Sequence, residues 1–272
     1  MAGPQSDLLV NKESIEKKKF NSPSTFPVPS EKKLEVLDHF DEDYIVNPEL
    51  IEIIRKAHAY YDEKKDQEAL DLYFKVLEKV QEDIPHLFDV YKNIGNIYLR
   101  NKDVEAAEEF YHRAYVMNSE SDILLVNMGT LEIQRENYEK AKELFRLALT
   151  KDGRNEKAWI GLALVHRHYG DLDLSWANLM SALDQDPENE TAYQLFIDWG
   201  VKDGRWTDLI SFLEGARGER ALTLARIYIH LGQLKNAKAL LEGILEQDSI
   251  ALKASELLSE VQQKLEQQEC PC

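Results

Sequence analysis

Histidine is the residue type with the widest chemical scope in this sequence, because imidazole can bind zinc or move a proton. No two histidines stand four positions apart, the spacing that places two imidazoles on one face of a zinc-binding helix. His166 and His168 are two positions apart, so they would point in different directions on a helix. We therefore predict no metal site from the histidines, which are His39, His58, His86, His112, His166, His168 and His230.

Other residues that carry chemistry are equally scattered. The segment Gly215-Ala-Arg-Gly218 lacks the lysine and the serine or threonine of a phosphate-binding loop, and it follows no predicted strand. Carboxylates such as Glu105 and Asp171 fall at predicted helix starts, where they favour the helix dipole. No nucleophile, base and orienting group come together in a recognisable arrangement. We therefore expect no enzymatic activity, no catalytic residues and no cofactor.

The cysteines do not predict a disulfide-stabilised fold, because Cys270 and Cys272 are the only two and stand at the end of the chain. A Cys-Pro-Cys ending is compatible with a soft metal, an intermolecular disulfide or a lipid. The common prenylation box needs a cysteine four residues from the end, where this sequence has Glu269. We interpret residues 269–272 as an exposed tail.

Composition excludes several classes of partner. The chain has 43% hydrophobic and 31% charged residues with only 12 Gly and 8 Pro, which favours a mostly helical soluble protein. Its formal charge of -17 repels nucleic-acid phosphates and anionic membrane surfaces. Residues 1–20 lack the apolar core of a signal peptide, and no apolar run approaches the roughly 18 residues of a membrane helix. We expect a cytoplasmic protein that neither binds nucleic acid nor inserts into a membrane.

A 34-residue repeat organises the chain from about Asn47 onward. A small residue in the middle of each predicted first helix recurs at Gly95, Gly129 and Ala163, each 34 residues after the last, and the degenerate Ile197 continues the series. Small residues where two helices cross let their backbones approach, while bulky residues fill the gap beside the next helix pair. The second helices repeat a pattern of small, bulky and small residues at Ala107, Tyr111 and Ala114, at Ala141, Phe145 and Ala148, and at Ser175, Leu179 and Ala182.

This pattern resembles the tetratricopeptide repeat family, whose 34-residue unit is a pair of antiparallel helices. Trp159 and Pro187 also match the large-aromatic and terminal-proline positions of that family. Two more units with altered spacing centre on Ala57 and Ala225. The resemblance implies an all-α, right-handed superhelical solenoid of about six helical hairpins plus a C-terminal capping helix, and it implies that the chain binds another protein.

We predict four parts along the chain. Residues 1–48 form a flexible, Pro-containing N-terminal arm, residues 49–251 the solenoid, residues 252–268 the capping helix and residues 269–272 the tail. The cap would cover the apolar face of the last hairpin, which water would otherwise reach. The fifth unit is short and rich in glycine. The units are predicted at about 50–83, 88–121, 122–155, 156–189, 190–217 and 218–251.

The resemblance further implies that the first helix of each hairpin lines a concave groove. In an acidic chain, cationic and aliphatic residues gathered on one strip are not explained by bulk composition, and an aliphatic patch rimmed by charge favours docking of a peptide or helix. An alternative is that the aliphatic residues only cover one another. The predicted groove residues are Lys92, Asn96, Arg100, Ile123, Val126, Asn127, Ile133, Lys157, Ile160, Leu164, Arg167 and His168.

Three functional hypotheses follow. The first is an adaptor that holds a segment of another protein within a regulatory, motility, secretion or polarity complex. The second is a co-chaperone-like receptor for acidic carboxyl termini, because Lys92, Asn96, Asn127 and Lys157 match four places of the family's five-residue carboxylate clamp. The fifth place, where an arginine is expected, is Gly161.

The third hypothesis is self-association. One candidate surface is the irregular fifth unit with Trp199 and Trp206. The other is the N-terminal arm, where Leu34, Leu37 and Phe40 recur at helical spacing before an acidic run, so that the segment is complementary to an aliphatic and basic groove.

Overall fold

The computed structural model describes residues 48–80, 86–245 and 250–269. Residues 1–47 of the predicted N-terminal arm and the two cysteines therefore lie outside the described residues. Within the described ranges the chain forms thirteen α-helices and no strand, and no helix there is long and apolar enough to cross a membrane. The helices are α1 (Pro48–Asp62), α2 (Asp66–Lys79), α3 (Leu87–Arg100), α4 (Val104–Met117), α5 (Asp122–Gln134), α6 (Tyr138–Lys151), α7 (Glu156–His168), α8 (Leu172–Gln185), α9 (Glu190–Lys202), α10 (Trp206–Leu213), α11 (Glu219–His230), α12 (Leu234–Ile244) and α13 (Ala251–Glu269).

Helices α1 to α12 pair in chain order as six hairpins, and each hairpin packs against the next. The small residues of the repeat stand where paired helices cross. A Cβ atom on Gly95 would come within 2.5 Å of the ring of Tyr111, and one on Gly129 within 2.7 Å of the ring of Phe145. The glycines therefore make room for the bulky residue of the second helix. The prediction of an all-α helical-repeat solenoid is confirmed.

The turn inside each hairpin is the same each time. A residue with positive φ follows two positions after the end of the first helix, and it stands seven positions after the marker residue of its repeat. Its N–H and the next N–H bond back to the last turn of the helix, as for Glu136 to Ile133 and Asn137 to Glu132, which is the Schellman arrangement. The positive-φ residues of the six hairpin turns are Lys64, Lys102, Glu136, Gly170, Gly204 and Gly232.

The starts of three successive first helices are capped in the same way. The side chains of Ser121, Asn155 and Asn189 accept hydrogen bonds from the backbone N–H three residues ahead. These caps stand 34 residues apart, so the repeat fixes where helices α5, α7 and α9 begin as well as where they end. The first helices of hairpins three to five therefore begin at equivalent residues of their repeats.

The fifth hairpin and the cap depart from the regular unit. Helix α10 has only 8 residues, whereas α4, α6 and α8 have 14 each. Trp199 and Trp206, candidates for self-association, are partly buried against the core that hairpins four to six share. Helix α13 buries Ala254, Leu258 and Val261 in a cluster with α11 and α12, so it shields the apolar face of the sixth hairpin.

Candidate functional site

The first helices of the opening four hairpins border one cavity. Its volume is about 510 Å³, and α1, α3, α5 and α7 each contribute side chains, with Tyr111 entering from α4. We call it the Asn96 pocket, after the residue that forms hydrogen bonds with three of the other lining residues. Six of the twelve predicted groove residues line it, namely Lys92, Asn96, Arg100, Ile123, Asn127 and Lys157.

A hydrogen-bond network forms the floor of the Asn96 pocket. The Asn96 side chain donates to the hydroxyl of Tyr61 at 2.9 Å, and its carbonyl accepts from the hydroxyl of Tyr111 and the amide of Asn127, both at 2.8 Å. Burial raises the pKa of Tyr111, so this phenol stays a neutral donor. The network ties three hairpins together and leaves the floor rigid and polar.

Two of the three cations at the pocket are already paired. The Arg100 guanidinium forms an ion pair with Asp66 and lies 4.8 Å from the ring centroid of Tyr61. Lys92 forms an ion pair with Asp89.

The third cation, Lys157, is exposed and forms no ion pair with any residue that the structure describes. No carboxylate is among the residues that line the pocket. Lys157 therefore gives the pocket an uncompensated positive charge.

The predicted aliphatic groove residues divide into two groups. Val126 and Ile160 are buried in the cores between helices, and Ile133 is partly buried against one of them, so these three act in packing. Ile123 is 53% exposed and lines the pocket, and Leu164 is 38% exposed further along α7. Only the second group offers apolar surface to a partner.

Arg167 and His168 do not line the Asn96 pocket. Arg167 forms a bidentate ion pair with Asp203 of the next hairpin, and its guanidinium lies 4.9 Å from the ring centroid of Trp199. This pairing lowers the pKa of Asp203. His168 stacks on Tyr138 with ring centroids 3.5 Å apart. Arg167 thus joins hairpins four and five.

The four residues that match the carboxylate clamp, Lys92, Asn96, Asn127 and Lys157, all line the Asn96 pocket. The fifth place does not offer room for the missing arginine. A Cβ atom on Gly161 would overlap the ring of Phe145, which fills this space. The amide donors are also partly occupied, because the Asn96 amide already donates to Tyr61 and the Asn127 amide already donates to Asn96. The pocket therefore holds four parts of a clamp without the cation that would complete it.

Six further residues line the pocket. Tyr61 could have been found, because it follows Ala57 by four positions as Leu99 follows Gly95, but the longer spacing of the first unit hid the match. For Tyr111, the repeat pattern predicts only packing beside the next helix pair. No cluster of metal-ligating side chains occurs in the part of the chain that the structure covers. The further lining residues are Tyr61, Asn93, Leu99, Tyr111, Thr130 and Gln134.

Comparison with known proteins finds the same repeat. A tetratricopeptide repeat family model matches residues 126–190, and a second matches residues 88–119 and 220–249. Among curated proteins, the BBSome complex member BBS4 of Bos taurus is 29% identical over 110 residues, which cover 38% of this chain. The match spans 21% of the length of BBS4.

Solved structures show the same fold. Pseudomonas aeruginosa PilF superposes with a TM-score of 0.56 at 15% identity, covering 78% of this chain and 97% of PilF. A chain of the APC/C hetero-tetramer Cut9–Hcn1 gives a TM-score of 0.54 at 14% identity, over 78% of this chain and 42% of that one. The repeat register, the hairpin geometry and these matches agree, and the chain belongs to the tetratricopeptide repeat family.

Proposed function

We propose that this chain is an adaptor that binds a segment of another protein at the Asn96 pocket and along the neighbouring face of α7. The observation that carries the proposal is the combination of a rigid polar floor, an uncompensated Lys157 and an exposed Ile123 around one cavity. Preorganised hydrogen-bonding groups beside exposed apolar surface are what a docking segment uses, because little ordering is needed on binding.

A curated relative supports a place in a larger assembly. BBS4, which matches this chain over 110 residues, is a member of the BBSome complex. A repeat stack suits such a role, since it presents an extended surface built from many short units. We propose that this chain likewise works inside a multiprotein complex and carries out no reaction of its own.

The test is affinity capture with three forms of the full chain. The groove variant combines Lys157→Glu with Leu164→Asp. The control combines Lys235→Glu with Leu147→Asp, because Lys235 is an exposed lysine on α12 and Leu147 is 37% exposed on α6, close to the 38% of Leu164.

We expect the wild type and the control to capture proteins that the groove variant does not capture. The groove variant should have the same helicity and melting temperature as the wild type. Equal capture by all three forms would move the binding surface away from this groove.

A second candidate, a receptor for acidic carboxyl termini, is supported by the four clamp residues that share the pocket. A terminal carboxylate there would accept hydrogen bonds from Lys157 and from an amide. A fluorescent peptide with an acidic carboxyl terminus should then bind, and amidation of that terminus should abolish binding. Equal binding of the two forms would eliminate this candidate.

A further inference from the structure

We infer that the partner segment docks in one register, with acidic side chains over the Asn96 pocket and apolar side chains over Leu164 and Val201. This inference rests on the proposed function and gives the chemistry of the partner. It differs from a terminal clamp, because it needs side-chain carboxylates and no free carboxyl terminus.

The acidic end follows from the charges around the pocket. The lining residues include Lys92, Arg100 and Lys157 and no carboxylate, and only Lys157 lacks an acidic partner among the described residues. The chain as a whole carries a formal charge of -17, so an acidic segment is repelled over most of the surface. The pocket is therefore a place where a carboxylate gains an ion pair.

The apolar end follows from helix geometry. Leu164 stands seven residues after Lys157 on α7, so the two lie on the same face, about 10 Å apart along the axis. Asp198 holds the place of Leu164 in the next repeat, 34 residues later, and Val201 lies one turn beyond Asp198 on the same face of α9.

The ion pair between Arg167 of α7 and Asp203, which follows α9, joins these two helices. Leu164 and Val201 are 38% and 42% exposed, so each helix presents an aliphatic side chain within one turn of that pair. The exposed charges nearby, Asp198 and Lys202, are opposite in sign. This end therefore has no net charge to attract a carboxylate, and apolar contact decides what binds.

The distance between the two ends sets the spacing in the partner. About 10 Å corresponds to roughly three residues of extended chain. A fitting segment has its acidic residues grouped at one end and its apolar residues grouped at the other, about three residues away. A segment that alternates acidic and apolar residues cannot satisfy both ends at once, because alternate side chains of an extended chain point to opposite sides.

The experiment uses two fluorescent peptides of equal composition and the full chain, with both peptides acetylated and amidated. The grouped peptide is Asp-Glu-Asp-Ser-Ser-Leu-Ile-Leu, and the alternating peptide is Asp-Leu-Glu-Ile-Asp-Leu-Ser-Ser. We expect the grouped peptide to bind at least about tenfold more tightly in fluorescence anisotropy.

Substitutions in the chain test which side chains bind each end of the grouped peptide. We expect Lys157→Glu to weaken its binding about tenfold, and a grouped peptide with lysines in place of its acids to recover that loss on the variant. Leu164→Asp and Val201→Asp should each weaken the grouped peptide, whereas the control substitutions Lys235→Glu and Leu147→Asp should not. Charge-swap recovery cannot come from a merely structural effect of the substitution.

Each other outcome overturns the register. If both peptides bind equally and Lys157→Glu weakens both, the groove binds acidic segments without a fixed register. Binding only by peptides with a free carboxyl terminus would point to the terminal clamp. If neither peptide binds, or if no groove variant changes binding, the inferred chemistry of the partner is wrong. The capture experiment judges the proposed function separately, because it uses natural partners of any chemistry.

Discussion

At the residue scale, one aromatic ring packs against glycines of two hairpins. The ring of Phe145 on α6 lies against Gly129 in its own hairpin and against Gly161 in the next, and a Cβ atom at either glycine would overlap it. The ring is fully buried, so it has little space into which to retreat. The same contact explains why the fifth clamp place carries no side chain.

The first prediction at this scale compares two helical glycines. Gly161→Ala should lower the free energy of unfolding by about 1–3 kcal/mol, because the added methyl group forces the Phe145 ring to shift within a packed core. Gly243→Ala is the matched control on α12, where nothing lies within 4 Å of the added Cβ. It should raise stability by about 0.5–1 kcal/mol through helix propensity. Urea denaturation measures both, and a fully stable Gly161→Ala variant would show that the ring moves without strain.

At the element scale, the hairpin turns allow the cost of backbone strain to be measured apart from side-chain packing. All six turns need a residue with positive φ, yet three of them use Lys64, Lys102 and Glu136 and three use glycine. A side chain in the left-handed conformation costs roughly 1–2 kcal/mol relative to the right-handed one. The first three hairpins therefore carry strain that the last three avoid.

Substitution in the turns tests this strain. Gly170→Ala should destabilise the chain by about 1 kcal/mol, from the backbone alone, because no atom lies within 4 Å of the added Cβ. Glu136→Gly makes the opposite change at the equivalent turn and should stabilise by up to about 1 kcal/mol, the strain relieved less the extra entropy of the unfolded chain. Urea titrations give both differences. A destabilised Glu136→Gly would mean that contacts of the Glu136 side chain outweigh the strain.

Much of the element layout could be predicted because the repeat constrains it. Gly95, Gly129 and the bulky residues opposite them carry the register in the sequence itself, and the structure confirms the all-α solenoid. The site was less predictable. The repeat register predicts which face of a helix a residue lies on, but it does not predict whether a neighbouring helix buries that residue. Val126 and Ile160 are buried by adjacent helices. The engagement of Arg167 depends on Asp203, which belongs to the irregular fifth hairpin.

At the scale of the whole repeat region, we expect a substitution to destabilise mainly the hairpins that it contacts. Contacts join each hairpin to the next along the stack, and α13 completes the series by packing on α11 and α12. In such a stack the terminal unit depends on its cap, while distant units do not. Damage at the cap should therefore open the last hairpin and leave the Asn96 pocket intact.

Hydrogen exchange can follow this locality. Val261→Asp places a carboxylate at a fully buried position in α13, so exchange in α11, α12 and α13 should accelerate. Exchange in α3 to α6 and binding of the grouped peptide should stay unchanged. Gln262→Asp, at the adjacent exposed position, is the control and should change nothing. Accelerated exchange across all thirteen described helices would show that this region unfolds as a single cooperative unit.

The shared ring of Phe145 also constrains how this sequence can diverge. Positions 129, 145 and 161 belong to two repeats, yet a larger residue at either glycine requires a smaller one at position 145. Substitutions at the three positions are thus not independent, and related sequences should keep or change all three residues together. Exchanging the third or the fourth hairpin for another repeat would break the contact between Phe145 and Gly161. We therefore expect these two hairpins to keep their order in the stack.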